Sequence, residues 1–198
     1  VPDNSPVVLS KVIFPFNPVA PAVVVLAEYE PVPSEKFTEM LAISMATLYQ
    51  DHGGQSNSAG DITILQGACV GGSTVVNAAL CFRTPDYYLN LWAKEFGLTN
   101  LTPDVMLPYF EKVEANLQIK ENERYETSPG AELINQGIQK LGLPPGYAKR
   151  NVKNCGLTGH CFAGCVSDRK QSMLVTYLPW AVAYGASIYS DTRATKVI

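Results

Sequence analysis

The stretch that decides the fold is Gly67-Ala68-Cys69-Val70-Gly71-Gly72-Ser73-Thr74-Val75-Val76-Asn77-Ala78-Ala79-Leu80-Cys81-Phe82-Arg83. It follows Ile62-Thr63-Ile64-Leu65, an apolar run with β-branched residues that is typical of a strand. Gly71 and Gly72 have no Cβ atom, so the backbone there can adopt positive φ and approach a ligand closely. The pattern therefore predicts a strand, a glycine turn and then a helix.

The residues after the glycine turn have the chemistry of an anion-binding helix start. Ser73 and Thr74 can cap a helix, and the N–H groups at such a start suit a pyrophosphate. Asn77 lies about one helical turn further on, so its amide can face the same ligand. A tight strand-to-helix turn without any ligand accounts for the same residues equally well.

The same stretch resembles the first signature of the glucose–methanol–choline (GMC) flavin oxidoreductases. That signature is a Gly, often a basic residue, an apolar residue, Gly-Gly, two small or hydroxyl residues, an aliphatic residue and Asn. The matching positions are Gly67, Val70, Gly71, Gly72, Ser73, Thr74, Val76 and Asn77. Ala68 departs from the pattern, because the family usually has a basic or polar residue there. In the family this segment lies along FAD, so the resemblance implies FAD contacts from Gly67, Val70, Gly71, Gly72, Ser73, Thr74 and Asn77.

The resemblance implies an α/β fold with a Rossmann-like FAD/NAD(P)-binding domain. Ala22–Leu26 is a short, continuous, β-branched run, which is typical of a buried strand in a parallel sheet. Glu28 follows it, and an acidic residue at the end of the second strand of dinucleotide-binding folds bonds the ribose. The acid is displaced by one position and Tyr29 stands where the family has Gly. A solvated loop carboxylate therefore accounts for Glu28 equally well.

One expected motif is absent. The first glycine of the chain is Gly53, so no Gly-x-Gly-x-x-Gly turn precedes the strand at Val23. Family members also continue well beyond this length and carry their catalytic His near the C-terminus, and His52 and His160 do not match it. We therefore expect a partial FAD-binding domain that lacks the N-terminal βαβ fingerprint and the C-terminal half. The chain is then an internal piece of a longer protein or has a replaced N-terminus, and no catalytic base is assigned.

The remaining periodicity predicts five helices and two further strands. The predicted helices are Phe37–Tyr49, a helix from Pro85 to Gly97, Val105–Val113, Gly130–Leu141, and one from Ser167 or Asp168 to about Tyr184 that Pro179 kinks. The strand-like runs are Ala186–Ser190 and Ala194–Ile198. In the family the strand near this position passes the adenine through a backbone contact at a Val, and Val197 is the matching residue.

Composition indicates an ordinary globular protein. The 198 residues are 46% hydrophobic and 17% charged, and the net charge of −3 gives no sign of a nucleic-acid partner. Val12–Leu26 is too short for a membrane span and contains Pro15, Pro18 and Pro21, so no transmembrane segment is expected. Residues 1–21 hold five prolines and are expected to form an irregular arm, followed by the partial FAD-binding domain at 22–198.

Three cysteines and one histidine form a second chemical cluster, at Cys155, His160, Cys161 and Cys165. A zinc site, a disulfide, and free or packed thiols are all open, although the ligand spacing is wider than in the usual zinc knuckle. The resemblance favours the last two, because some relatives show a similar Cys-Gly segment followed by Lys-x-Ser and Tyr-Leu. Those positions are Lys170, Ser172, Tyr177 and Leu178. Five cysteines are few for a disulfide scaffold, which favours a reducing, cytoplasmic location.

The resemblance implies an FAD-dependent oxidoreductase that acts on the CH–OH group of a small-molecule alcohol, an alcohol oxidase or dehydrogenase. The sequence does not identify the alcohol, the electron acceptor or the oligomeric state. Two alternatives remain at this point: an inactive fragment without bound flavin, and a small metal-binding module built on the Cys/His cluster.

Overall fold

A computed structural model describes residues 23–25, 40–190 and 192 of the chain. Its secondary structure in chain order is β1 Val23–Val25, α1 Leu41–Leu48, α2 Ser73–Val76, α3 Asp86–Phe96, α4 Pro103–Asn116, β2 Ile119–Glu121, α5 Pro129–Lys140, β3 Lys149–Asn151, α6 Tyr177–Ala183 and β4 Ser187–Tyr189. The chain divides into two compact units, one combining residues 1–78 with 158–198 and the other comprising 79–157. The expected arm at 1–21 lies outside the described residues, so the boundary at residue 22 stays a prediction.

The sheet of the first unit confirms two predicted strands. β1 and β4 pair in parallel, with Val24 opposite Ile188 at the centre of the register. Parallel neighbours need a crossover connection, and the long segment between these strands supplies it. The other predicted strand, Ala194–Ile198, lies outside the described part of the chain, as does its residue Val197.

The core of the first unit forms where α1 meets the glycine turn and α2. Its buried members are Leu48, Tyr49, Cys69, Val75 and Val76, with Met45 and Leu174 packed against them. α1 turns Ser44 and Leu48 into this core. The described part of the helix predicted at Phe37–Tyr49 is therefore confirmed.

The strand predicted at Ile62–Leu65 is wrong. These four residues are exposed, and Thr63 alone makes an isolated bridge, to Ser56. The Asn57 side chain accepts a hydrogen bond from the Ile62 N–H at 3.2 Å, and the backbone of Asn57 also bonds the Ile62 carbonyl. A local turn therefore uses the backbone groups that a sheet partner would need.

The start predicted for the last helix is also wrong. Asp168 has φ of 53°, a left-handed conformation that does not begin a helix, and α6 starts only at Tyr177. Residues 170–172 are instead buried in non-helical conformation. Pro179 lies in the first turn of α6, where the missing N–H costs no hydrogen bond, so no kink is required. The predicted end is correct, because Gly185 follows with φ of 88°.

The second unit contains three helices and the antiparallel pair β2–β3, in which Lys120 lies opposite Arg150. α3 ends at Gly97, whose N–H bonds the Trp92 carbonyl. α4 extends beyond the predicted range in both directions, since Pro103 fits its first turn. The Ser128 hydroxyl caps α5 through the Ala131 N–H at 3.2 Å. The predicted helices of this unit are thus confirmed.

Candidate cofactor site

The predicted glycine turn is a tight backbone corner attached to the end of α1. Gly67 bridges to Tyr49 in antiparallel fashion, and hydrogen bonds join Gln50 N to Gln66 O and Ala68 N to Leu48 O, each at 2.8 Å. The chain is buried from Ala68 to Val70 and then reverses, with the Gly72 N–H bonding the Cys69 carbonyl at 2.7 Å. The corner, residues 67–77, thus combines buried members of the core, Cys69, Val75 and Val76, with the exposed Ser73 and Asn77.

The three glycines of the corner have different physical roles. A Cβ on Gly67 would lie 2.7 Å from backbone atoms of Gly72 and Ser73, so the backbone segments before and after the turn approach too closely for a side chain. A Cβ on Gly71 would lie 2.7 Å from Val75 Cγ2 and 3.0 Å from Leu174. A Cβ on Gly72 would meet nothing within 4 Å. Gly67 and Gly71 therefore serve packing, whereas the backbone at Gly72 faces open space.

Two hydroxyl groups fasten the corner from inside. Ser73 Oγ accepts a hydrogen bond from the Gly67 N–H at 3.0 Å. Thr74 Oγ1 donates to the Gly71 carbonyl at 2.6 Å and accepts from the Met173 N–H at 3.0 Å. The Thr74 hydroxyl is thus used internally, while the Ser73 side chain is exposed and can still donate a hydrogen bond outward.

The helix that begins at Ser73 is short. α2 ends at Val76, and Asn77 follows in extended conformation with φ of −79° and ψ of 171°. The predicted start is confirmed, but a four-residue helix sums few peptide dipoles, so its N-terminus attracts an anion only weakly. The Asn77 side chain is exposed on the same segment as Ser73. The polar side chains that this segment exposes are therefore the Ser73 hydroxyl and the Asn77 amide.

A set of buried donors holds the last carbonyls of this segment. Lys170 Nζ donates to the Asn77 carbonyl at 2.8 Å, and Tyr49 OH lies 3.2 Å from the Val76 carbonyl. The same side chains, together with that of Ser44, also donate to three consecutive carbonyls of a distant turn. Lys170 Nζ lies 2.8 Å from the Cys161 carbonyl, Tyr49 OH 2.6 Å from that of Phe162, and Ser44 Oγ 3.0 Å from that of Ala163. We call these three donors and the turn Cys161–Ala163 the carbonyl clasp. Burial, and then the nearby Cys69, raise the pKa of the Tyr49 hydroxyl, which keeps it a donor.

Sequence reasoning did not assign a role to Lys170. Its position matched the family pattern, but a lysine is usually exposed, and nothing in the local sequence marks this one as buried. In the structure its side chain is 3% exposed, and Gln171 and Ser172 are buried beside it. Lys170 lies within six consecutive polar residues, Ser167–Ser172, directly before an apolar run, and such a polar run is typical of an exposed loop.

The cysteines of the chain are all free thiols. Among the described residues, which include every Cys and both His, no group of three or more potential ligands lies close enough to hold a metal ion. Burial raises the pKa of Cys69 to about 11, against smaller opposing effects of Lys170 and a Gly72 hydrogen bond. For Cys165, burial raises the pKa, but hydrogen bonds from the Lys170 N–H and Ser167 outweigh it and the net pKa is lowered.

The other sequence-predicted site residues divide into two groups. Val70 is 5% exposed and lines an apolar groove with Leu174 and Ile188, and thus belongs to the packing around the corner. Glu28 and Val197 lie outside the described residues, so their contacts with ribose and adenine stay predictions.

Within the described ranges, no helix combines the length and apolar composition that a membrane span requires.

The family profile of the GMC oxidoreductases matches residues 45–198, a range that includes the whole corner and all of the carbonyl clasp except Ser44. The chain belongs to the GMC oxidoreductase family. The resemblance found in the glycine turn is therefore confirmed, and the GMC profile agrees with the mixed helices and strands of the structure.

Individual relatives of this GMC chain are distant. It is 28% identical over 182 residues to an uncharacterized GMC-type oxidoreductase of Sinorhizobium fredii, which covers 88% of the chain and 35% of the relative. An uncharacterized GMC-type oxidoreductase of Mycobacterium tuberculosis is 30% identical over 69% of the chain and 22% of its own length. The long-chain-alcohol oxidase FAO3 of Arabidopsis thaliana is 27% identical over 76% of the chain and 20% of its length. The chain spans about a third or less of these curated relatives.

Proposed function

We propose that this GMC chain is part of an FAD-dependent oxidoreductase that oxidises the CH–OH group of an alcohol, and that the corner contacts the FAD. One observation carries the proposal. Gly72 presents side-chain-free backbone to open space at a position of the GMC signature, with the exposed Ser73 and Asn77 beside it. A bulky planar ligand needs such an approach. Packing accounts for Gly67 and Gly71, whereas at Gly72 the φ of 57° favours glycine and the space beside the backbone is open.

The residues present fit the cofactor in a limited way. The backbone at Gly72 admits close contact, and the exposed Ser73 hydroxyl and Asn77 amide can hydrogen-bond polar edges. When bound, FAD supplies the redox chemistry by accepting a hydride from the alcohol carbon. By family resemblance we assign Glu28 to the ribose and Val197 to the adenine. No residue of this chain is assigned as the catalytic base.

The substrate class follows from the relatives alone. Several Arabidopsis relatives are named long-chain-alcohol oxidases, while the bacterial ones carry no named substrate. We propose an alcohol as the donor and leave its chain length open. The cytoplasmic location stays a prediction.

The test compares two glycines that both have positive φ. Gly72→Ala places a methyl group where the proposed flavin contact lies, and Gly60→Ala is the control. Both glycines have positive φ, 57° and 74°, and neither Cβ would meet protein within 4 Å. We expect Gly72→Ala to weaken FAD binding about tenfold or more, because a displaced contact costs one or more kcal/mol, and Gly60→Ala to leave it unchanged. FAD binding is followed by the visible absorbance and fluorescence of the flavin.

Two results would contradict the proposal. The purified protein could bind no FAD under any condition, which is the outcome expected of a non-catalytic fragment without flavin. Alternatively, Gly72→Ala and Gly60→Ala could affect FAD affinity equally, which would leave backbone strain as the only effect of the substitution.

A further inference from the structure

Lys170 is the one ammonium group among residues 40–190 that is nearly excluded from water, with 3% of its surface exposed. A buried charge is costly unless polar groups surround it. Its described partners are two backbone carbonyls, of Asn77 and Cys161, each 2.8 Å from Nζ. The lysine thereby joins the end of the corner to the turn Cys161–Ala163, which lies more than 80 residues away in sequence.

The carbonyl that Lys170 bonds is one that the local sequence cannot satisfy. The last carbonyls of a helix lack intrahelical partners and carry partial negative charge, which a cation complements. α2 has four residues, too few to be stable without external contacts. Lys170 Nζ donates to the Asn77 carbonyl at this end at 2.8 Å. The Tyr49 hydroxyl lies 3.2 Å from the Val76 carbonyl, and its one hydrogen is shared with the Phe162 carbonyl at 2.6 Å. Lys170 is therefore the main donor at the end of the segment.

We propose that Lys170 is a positioning residue for the cofactor corner. By fixing the Asn77 carbonyl, it sets the direction in which the Asn77 amide and the Ser73 hydroxyl are presented to the cofactor. The hydrogen bond by which Lys170 fixes the end of α2 is a property of the protein itself. The effect of Lys170 on FAD binding rests on the proposed function. The two parts can therefore be tested separately.

The first experiment needs no cofactor. Lys170→Met removes the ammonium group and keeps an unbranched side chain, and Arg169→Met removes the exposed cation next to it as a control. Hydrogen exchange is measured by mass spectrometry on peptides that cover residues 68–78. We expect exchange there to be about tenfold faster in Lys170→Met, since hydrogen bonds to a charged group are lost, and unchanged in Arg169→Met. Equal exchange in both variants would overturn the proposal.

The second experiment uses the FAD-loaded protein. We expect Lys170→Met to raise the FAD dissociation constant about tenfold and to change the visible circular dichroism of the bound flavin, whereas Arg169→Met changes neither. Faster exchange with unaltered FAD affinity and dichroism would overturn the positioning role toward the cofactor. Faster exchange in a protein that binds no FAD even as wild type would refute the proposed function and leave the holding of α2 supported.

A third variant covers the case in which Lys170→Met does not fold. Tyr49→Phe removes only a hydroxyl, whose one hydrogen is shared between the Phe162 carbonyl at 2.6 Å and the Val76 carbonyl at 3.2 Å, and buries no new charge. We expect it to accelerate exchange of residues 73–77 about threefold, the effect of one neutral hydrogen bond. Wild-type exchange in Tyr49→Phe would overturn the idea that the clasp holds α2.

Discussion

At the scale of single residues, Cys69 in the corner and Cys165 after the turn Cys161–Ala163 have pKa values shifted in opposite directions. Burial raises the pKa of Cys69 to about 11, so about one thiol in a thousand is ionised near pH 8. Cys165 has a lowered pKa and is only partly buried. Because the thiolate is the nucleophile, we expect Cys165 to react with iodoacetamide at least about tenfold faster than Cys69. Peptide mapping by mass spectrometry after timed quenching measures both rates.

The control for that difference is the unfolded chain. In strong denaturant the two thiols lose their environments, so their alkylation rates should converge to within about twofold. If Cys69 reacted first in the native protein, the burial of this thiol and its hydrogen bond with Gly72 would be contradicted.

The glycines show what a single residue in a sequence can and cannot predict. The pattern correctly indicated a turn that requires glycine, but it treated Gly71 and Gly72 as equivalent. The structure separates them, because a Cβ on Gly71 would clash with Val75 and Leu174, whereas a Cβ on Gly72 would meet no atom within 4 Å. The burial of Lys170 could not be predicted either, since its partners are backbone carbonyls 9 and 93 residues away.

At the scale of elements, two glycines in the second unit make the effect of backbone conformation measurable. Gly97 ends α3 with φ of 66°, whereas Gly137 lies within α5 and has no such φ. Neither Cβ would meet an atom within 4 Å, so the same substitution tests conformation alone. We expect Gly97→Ala to lower the free energy of unfolding by roughly 1 to 2 kcal/mol, and Gly137→Ala to raise it by about 0.5 to 1 kcal/mol. Urea denaturation followed by far-UV circular dichroism measures both.

Each variant is the other's control, because both add one methyl group to an exposed helix position. Changes of the same sign would show that the added methyl, and not the backbone conformation, determines the outcome. That result would contradict the end of α3 at Gly97.

The elements also show where sequence patterns suffice. α3 and α5 carry clear local start and stop signals, Pro and Ser before them and Gly after them, and both were predicted nearly to the residue. The run Ile62–Leu65 has strand propensity but pairs with no strand in the described part of the chain, and the side chain and backbone of Asn57 bond its backbone instead. The segment 168–172 is not helical, because Lys170 and Ser172 are buried and Lys170 bonds carbonyls distant in sequence.

At the scale of the whole molecule, the fold and the family could be predicted from sequence more fully than the site. The GMC signature identified the family because it combines many positions of fixed residue type. The carbonyl clasp left no comparable signal, since its donors Ser44, Tyr49 and Lys170 come from two distant segments and their acceptors are backbone atoms. Contacts with backbone place little constraint on the identity of the partner residue.

The stability of the whole molecule should depend on pH through one ion pair of the second unit. Arg83 bonds both carboxylate oxygens of Glu114, at 2.8 and 2.6 Å, and its guanidinium lies 5.9 Å from the centre of the Phe110 ring. The Arg83 hydrogen bond lowers the pKa of Glu114 from its ordinary value of 4.5. A carboxylate with a lowered folded-state pKa stabilises the protein above its unfolded pKa, and this contribution is lost as the pH falls through the folded-state value.

We therefore expect Glu114→Gln to be less stable than the wild type near pH 7, with the difference constant until about pH 4.5 and vanishing below it. Urea denaturation at a series of pH values measures the difference between the two free energies of unfolding. Since the pair is partly exposed, added salt should reduce the difference. The control is the same substitution in an Arg83→Gln background, where the pH dependence should largely disappear. A difference that grows as the pH falls, or one that persists without Arg83, would contradict the assignment of this pair as the cause.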